Sequence, residues 1–174
     1  MSLQGKRVAV LVEEMYQDQE VWYPLYRLQE AGAKVTIVGS GKKEYKSKFG
    51  YPITEDLSVS QVKESDFDAL IIPGGYAPDH MRRTPAFAQL VRAMVNANKP
   101  VGAICHGPWL LASADVLKGR HVTCFFAIKD DLVHAGARYT DEEVVQDKNL
   151  VTSRKPEDLP AFMRAFCAVL EKSK

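Results

Sequence analysis

Short, uninterrupted apolar runs recur along the chain, and stretches with a helical spacing of apolar residues separate them. The runs cover residues 7–12, 34–38, 68–72 and 101–104. Runs of this length without polar alternation are typical of strands covered on both faces, which is the setting of a parallel sheet. A strand–helix–strand unit almost always crosses over right-handed and makes its two strands parallel. The pattern therefore predicts one α/β domain with a mostly parallel central sheet.

The stretches between and after these runs predict helices and one hairpin. Apolar residues from Val21 to Leu28 recur at helical spacing, and Gly32 is a natural helix stop. Thr84 and Pro85 suit the N-cap and the first position of a second helix. Further along, the sequence predicts a helix from Trp109, a strand over 121–125, a helix over 128–135, a hairpin over 144–152 and a terminal helix over 157–171.

Residues 39–56 interrupt this alternation and carry several lysines, among them Lys42 and Lys48. We interpret this stretch as an exposed hairpin or excursion whose lysines form a solvated face. Residues 39–42 follow a strand with the sequence GSGK, but they have neither the spacing of a Walker loop nor that of a dinucleotide fingerprint. A phosphate-binding loop is therefore not predicted.

Length, charge and cysteine content narrow the class of protein. The 174 residues suit a single domain spanning 1–174. A formal net charge of +1 gives too weak an electrostatic field to attract nucleic acid or a membrane surface. The three cysteines lack a CxxC spacing, which argues against a disulfide framework and a structural zinc site. With no membrane-length apolar segment and no signal-peptide core, we expect a cytoplasmic protein with no metal and no cofactor.

Cys105 is the strongest candidate for a chemically active residue. It follows the apolar run 101–104, and Gly107 and Pro108 then open a helix. A thiol at such a strand-to-helix turn faces the positive end of the helix dipole and free N–H groups, which favour the thiolate. The same turn presents the nucleophile in nucleophile-elbow enzymes, where the following N–H forms part of an oxyanion hole. The alternative is a buried, inert cysteine.

Other polar or glycine-rich segments also follow predicted strands. Residues 13–20 follow the first strand, and Gly74 and Gly75 follow the strand ending at Ile72. Paired glycines let a backbone with free N–H groups approach a ligand, although an ordinary turn explains them equally well. Ligands of α/β sheets bind at the carboxyl ends of the strands. We therefore expect these segments to converge on Cys105.

Five segments of the chain resemble the DJ-1/PfpI family, and within it the PfpI-type intracellular cysteine proteases. The matching segments are EVWYP at 20–24, IPGGYAPD at 72–79, AICHGP at 103–108, IKDD at 128–131 and SRKPEDL at 153–159. The similarity runs from about Lys6 to the C-terminal helix. The resemblance implies a flavodoxin-like three-layer sandwich, similar to class I glutamine amidotransferase domains.

The resemblance also implies roles for individual residues. Cys105 is the implied nucleophile, with Glu20 close to its sulfur. Because a carboxylate beside a thiolate is unfavourable, Glu20 is expected to be protonated, with a raised pKa, and to donate to the sulfur. The alternative for Glu20 is a surface carboxylate at a helix start. The N–H groups of Gly75 and His106 are the implied oxyanion hole.

A third catalytic group depends on assembly. In PfpI-type members an acid from a neighbouring subunit orients the histidine, and Asp79 occupies that position here. The usual residue is glutamate, so the shorter aspartate leaves a Cys105–His106–Asp79 triad open. With the triad, His106 is a general base and acid; without it, His106 is structural, since adjacent side chains on an elbow usually point apart. An interfacial Asp79 requires a homo-oligomer, a dimer or a trimer of dimers.

The remaining aromatic and sulfur side chains near these segments are interpreted as structural. Tyr23, Trp109 and Phe126 are predicted to belong to the core rather than to the pocket. Cys124 and Cys167 lie on a strand and on an apolar helix face, and both are predicted to be inert.

Three functions are compatible with a reactive Cys105. The first is a cysteine-nucleophile hydrolase acting on peptides or small acyl compounds. The second is a glyoxalase or deglycase, in which the thiolate adds to methylglyoxal or a glycated group while Glu20 and His106 move protons. The third is a redox-sensing stress protein or chaperone, in which Cys105 is reversibly oxidised.

Overall fold

The predicted apolar runs form neighbouring strands at the centre of one sheet. The computed structural model describes residues 2–173. Its strands are β1 (Arg7–Leu11), β2 (Lys34–Gly39), β3 (Glu44–Lys46), β4 (Pro52–Thr54), β5 (Leu57–Ser58), β6 (Ala69–Ile72), β7 (Val101–Ile104), β8 (His121–Val122), β9 (Arg138–Tyr139), β10 (Val144–Asp147) and β11 (Leu150–Ser153). Its α-helices are α1 (Asp18–Glu30), α2 (Ala77–Met81), α3 (Pro85–Asn96), α4 (Pro108–Ser113), α5 (Lys129–His134) and α6 (Leu159–Lys172).

The central sheet has seven strands in the order β10-β11-β7-β6-β1-β2-β5. Every neighbouring pair is parallel except the hairpin of β10 and β11. Helices α1 and α6 pack together on one face, and α2, α3 and α4 cover the other. The predicted flavodoxin-like three-layer sandwich is therefore confirmed. Within the described chain, every helix is too short or too polar to cross a membrane.

The change in direction of the crossovers determines where a ligand-binding crevice forms at the edge of the sheet. The chain passes from β1 to β2 on one side, and from β6 to β7 on the other side of β1. This reversal places a crevice above the carboxyl ends of β1 and β6, where open α/β sheets bind ligands. All residues of β6 and β7 are buried, so this part of the sheet is rigidly packed.

The structure shortens one predicted strand and exposes two side chains predicted to be buried. The predicted strand 121–125 ends at Val122, because the chain then turns toward the elbow and the Phe125 N–H donates to the Cys105 carbonyl at 3.0 Å. Tyr23 and Phe126 are 39% and 73% exposed, so the prediction that they belong to the core was wrong. Trp109 packs against the core, as predicted. Cys124 and Cys167 are buried; Cys167 lies on α6 as expected, whereas Cys124 follows the strand on which it was predicted.

The lysine-rich stretch forms a hairpin of β3 and β4, as expected, but it is not merely a solvated excursion. Tyr45 is fully buried, and its hydroxyl accepts hydrogen bonds from the N–H groups of Ser40 and Lys42 at 2.7 and 3.0 Å. Ser47 pairs as an isolated bridge with Tyr16, in the loop that follows β1. The hairpin is thereby fixed against the carboxyl edge of the sheet.

The close approach of α6 to β7 makes Gly102 a sensitive position. A Cβ atom at Gly102 would lie 2.8 to 2.9 Å from buried atoms of Phe162, Ile71 and Phe166. We expect Gly102→Ala to lower the free energy of unfolding by about 1–3 kcal/mol through overpacking, measured by urea denaturation. The exposed control Gln89→Ala should stay within about 0.5 kcal/mol of the wild type; an equally small effect of Gly102→Ala would contradict this account of the packing.

Candidate active site

Cys105 occupies the predicted turn between β7 and α4. Its φ of +60° lies in the left-handed region, which costs a residue other than glycine about 1–2 kcal/mol. The Cys105 N–H donates to the Ser153 carbonyl at 3.1 Å, and its carbonyl accepts from Phe125. These bonds hold the strained conformation from two sides. Such strain is typical of residues held for function.

Glu20 lies in the first turn of α1 and is fully buried, so the alternative of a surface carboxylate is wrong. Its Oε2 accepts a hydrogen bond from the Gly74 N–H at 2.7 Å. A Cβ atom at Gly74 would lie 2.6 Å from that oxygen and 2.7 Å from the Cys105 Cβ. Glycine is therefore what allows the carboxyl group and the elbow to lie this close. The other oxygen, Oε1, has no hydrogen-bond partner among the described residues.

The proximity of Glu20 and Cys105 determines how they ionise. Burial raises the pKa of Glu20 to about 7. Burial also raises the pKa of the Cys105 thiol, and negative charge on Glu20 raises it further. The pair therefore loses one proton near neutral pH and retains the other. The raised pKa expected for Glu20 agrees with this, whereas burial outweighs the helix-end effect expected to lower the pKa of the isolated thiol.

Two backbone N–H groups favour negative charge on the sulfur. Those of Gly75 and His106, the residues predicted for the oxyanion hole, both lower the pKa of Cys105. Gly75 has a φ of +73°, and a Cβ there would clash with Met15 and lie 2.5 Å from the Gln17 nitrogen. Only the second glycine of the predicted pair acts on the sulfur, because the Gly74 N–H is used by Glu20.

His106 lies beside the sulfur, contrary to the expectation that adjacent elbow side chains point apart. Its Nδ1 is 3.2 Å from the Cys105 Sγ. The ring stacks on Phe125 with centroids 5.0 Å apart and meets the edge of Trp109 at 5.1 Å, which fixes its orientation. Burial and the charge of Lys48 lower the pKa of His106, so the ring is neutral at neutral pH and can accept a proton.

Asp79 lies on α2 and is not brought to the sulfur within this chain. Its carboxylate pairs with Arg83, one turn later on the same surface. It does not line the cavity that contains Cys105. The structure thus brings Glu20, Gly75, Cys105 and His106 together and leaves Asp79 apart; a contribution across a subunit interface stays a prediction.

A cavity of about 350 Å³ opens onto the sulfur. Its lining consists of Met15, Gln17, Lys48, Gly75, Tyr76, Cys105, His106, Phe125 and Pro156. Sequence reasoning missed Lys48 and Phe125 as members of the site, and it placed the segment 13–20 there without singling out Gln17. The usable signal for Lys48 was the alternation of Tyr45 and Ser47 with charged residues, which is a strand pattern that places the hairpin on the sheet. Among residues 2–173 no group of His, Cys, Asp and Glu side chains could hold a metal ion.

Comparison with known proteins settles the family. The sequence profile described as the DJ-1/PfpI family matches residues 6–169. The chain belongs to the DJ-1/PfpI family. The resemblance seen in the sequence is thereby confirmed over nearly the whole chain.

The relatives that are named for an activity are deglycases or a protease. "Deglycase PfpI" of Pyrococcus furiosus is 42% identical, covering 95% of this chain and 99% of the relative. "Protein/nucleic acid deglycase 2" of Escherichia coli is 46% identical, covering 95% and 98%. "Putative cysteine protease YraA" of Bacillus subtilis is 44% identical, covering 96% and 99%. These names agree with the prediction of a cysteine-dependent, hydrolase-type enzyme.

A solved structure shows the same fold. The crystal structure of a two-domain protein from Anabaena variabilis, with DJ-1/ThiJ/PfpI-like and ferritin-like domains, has a TM-score of 0.93 and 42% identity. The match covers 95% of this chain and 48% of that longer one.

The pH dependence of Cys105 alkylation distinguishes a negative charge on the sulfur from a negative charge on Glu20. If Glu20 donates to a thiolate, Cys105 alkylation by iodoacetamide rises with pH through a midpoint near 7 in the wild type. Glu20→Gln keeps a donor and should leave the midpoint within about one pH unit, whereas Glu20→Ala should raise it by more than about one unit. A lower midpoint in Glu20→Ala would place the charge on Glu20 instead. Mass spectrometry of the Cys105 peptide measures the rates.

Proposed function

We propose that this protein is a Cys105-dependent deglycase or glyoxalase that acts on α-oxoaldehydes such as methylglyoxal and on the groups they modify. The observation that carries the proposal is the fully buried Glu20 carboxyl group, which the Gly74 N–H holds beside the Cys105 elbow at a small cavity. A thiolate with an adjacent proton donor suits addition to an aldehyde carbon. The names of the deglycase relatives support this choice over a peptidase.

The first step is addition of the Cys105 thiolate to the aldehyde carbon of methylglyoxal. A carbon–sulfur bond forms, and the carbonyl electron pair becomes an alkoxide that takes the Glu20 proton. The N–H groups of Gly75 and His106 stabilise negative charge beside the sulfur during this step. When the aldehyde carbon is attached to an amine, the thiolate displaces the amine, and Glu20 protonates it as it leaves.

The second step is an internal oxidation and reduction that needs no other reagent. His106 Nδ1, 3.2 Å from Sγ, is placed to remove the proton from the sulfur-bound carbon, which gives an enediol. Protonation of the neighbouring carbon yields the thioester of a hydroxy acid. Water then cleaves the carbon–sulfur bond, which releases the hydroxy acid and restores the thiol. The sum for methylglyoxal is addition of one water to give lactate.

A peptidase is the second candidate, and it rests on the name of the YraA relative. Its Cys105–His106–acid triad needs Asp79 from another subunit, because Asp79 of the same chain pairs with Arg83 instead. The aldehyde reaction uses groups that one chain already brings together. A homo-oligomeric state, a cytoplasmic location and a redox-sensing role for Cys105 stay predictions.

Methylglyoxal consumption, measured by NMR detection of lactate, tests the proposal. Cys105→Ala should lose activity by at least about 10³-fold because it removes the nucleophile. Cys124→Ala is the matched control and should retain activity, because Cys124 is fully buried and burial raises its pKa to about 12. Cys105-dependent cleavage of fluorogenic peptides without lactate formation would identify a peptidase. Rapid peroxide oxidation of Cys105 without turnover of either substrate would favour the redox sensor.

The contribution of Asp79 is tested together with assembly. If Asp79 orients His106 across an interface, the chain sediments as an oligomer and Asp79→Ala lowers kcat by at least about tenfold. We expect the chain to form an oligomer. We also expect Asp79→Ala to lower kcat for aldehyde turnover by less than about tenfold, because Glu20 supplies the proton in that reaction. A monomer at micromolar concentration would remove Asp79 from the site altogether.

A further inference from the structure

Two polar side chains of the Cys105 cavity have no part in the proposed mechanism. Gln17 is only 9% exposed, and its Oε1 has no hydrogen-bond partner among the described residues. A buried amide oxygen without a partner is costly, and a ligand that donates to it removes that cost. Gln17 therefore provides an unused hydrogen-bonding group at the cavity.

Lys48 supplies a positive charge to the same cavity. Its N–H donates to the Tyr16 carbonyl at 2.9 Å, which fixes its backbone at the cavity edge. The ammonium lies 5.1 Å from the Phe49 ring, and within residues 2–173 no carboxylate pairs with it. Its charge reaches the reacting groups, because it lowers the pKa values of both Glu20 and His106.

Apart from the Glu20–Cys105 pair, the cavity lining brings no negative charge to Lys48 among the described residues. Met15, Tyr76, Phe125 and Pro156 contribute apolar surface, and no carboxylate belongs to the lining among the described residues. Nearby acids are engaged elsewhere or act more weakly. Glu14 pairs with Lys42. Asp18 accepts from Ser47 through Oδ1 alone, and its buried Oδ2 has no hydrogen-bond partner among the described residues, while exposed Glu157 affects Glu20 less than Lys48 does. An anionic group is thus favoured at this edge.

We propose that the enzyme acts on α-oxoaldehydes that themselves carry a carboxylate group. Lys48 binds the carboxylate, and the Gln17 amide oxygen accepts a hydrogen bond from the hydroxyl group formed on the carbon next to the sulfur-bound one. A cavity of about 350 Å³ accommodates a molecule of this size. This inference rests on the proposed function, since it names the substrate class of the same site.

Alkylation of Cys105 by a matched pair of reagents tests the charge preference. Iodoacetate and iodoacetamide differ in charge but have the same leaving group, iodide. The ratio of their alkylation rates is therefore unaffected by changes in the fraction of Cys105 that is thiolate. Lys48→Met should lower the iodoacetate-to-iodoacetamide ratio about threefold to fivefold, and added salt should do the same in the wild type. Lys46→Met is the control, an exposed lysine of the same hairpin outside the cavity lining, and should leave the ratio unchanged.

Binding to Cys105→Ser provides a readout that does not depend on thiol reactivity. NMR titration should show lactate binding more tightly than lactamide, and adding Lys48→Met should weaken lactate binding about threefold to fivefold while leaving lactamide unchanged. Adding Gln17→Leu should weaken both, because they share the hydroxyl group.

The outcomes separate the inference from the proposed function. An unchanged alkylation ratio in Lys48→Met, or equal binding of lactate and lactamide, would overturn the inference while leaving the deglycase proposal intact. Failure of both reagents to alkylate Cys105 would overturn the proposed function, and the lactate titration would still decide whether Lys48 binds a carboxylate.

Discussion

The site depends on one close contact, in which the Gly74 N–H holds the Glu20 carboxyl group against the Cys105 elbow. A buried carboxyl group and a buried thiol cannot both ionise at this separation. The fold therefore keeps one proton on this pair at neutral pH. The surrounding N–H groups influence whether the sulfur or the carboxyl group carries the negative charge. Glycine at positions 74 and 75 is required because any Cβ there would collide with Glu20, Cys105 or the loop after β1.

Much of the fold follows from the sequence because burial on both faces leaves an unambiguous pattern. The runs that became β1, β2, β6 and β7 are uninterrupted and apolar, and their predicted bounds agree closely with the observed strands. The failures lie where tertiary contacts override the local pattern. The strand after His121 ends early because Phe125 is needed at the elbow, a requirement that only the distant Cys105 carbonyl creates.

The candidate site likewise has a part that the sequence predicts and a part that it does not. The Cys105 elbow is visible locally, as a strand, a thiol and a Gly-Pro helix start. The position of Glu20 came from resemblance, since no spacing rule links a residue in α1 to an elbow far along the chain. Lys48 was assigned to a solvated face, and its side chain is indeed exposed. An exposed lysine can still act at the edge of a cavity, because its charge stays hydrated there while its electric field extends into the cavity.

The carboxyl–thiol pair and the charge at the cavity rim therefore come from different parts of the chain, and the rim charge also lowers the pKa of Glu20. The proton sits on a rigid frame of α1, β6 and β7, whose packing leaves little room for change. The charge at the rim comes from a hairpin that contacts this frame through Tyr16 and Ser47. Under the proposed mechanism, a substitution of Lys48 would alter the preference for anions without moving the Glu20 carboxyl group. The hairpin also meets α1, where Ser47 donates to Asp18 and Tyr51 packs against Trp22. Since the Lys48 charge also lowers the pKa of Glu20, substitutions in the two parts should not be additive in their effects on reactivity.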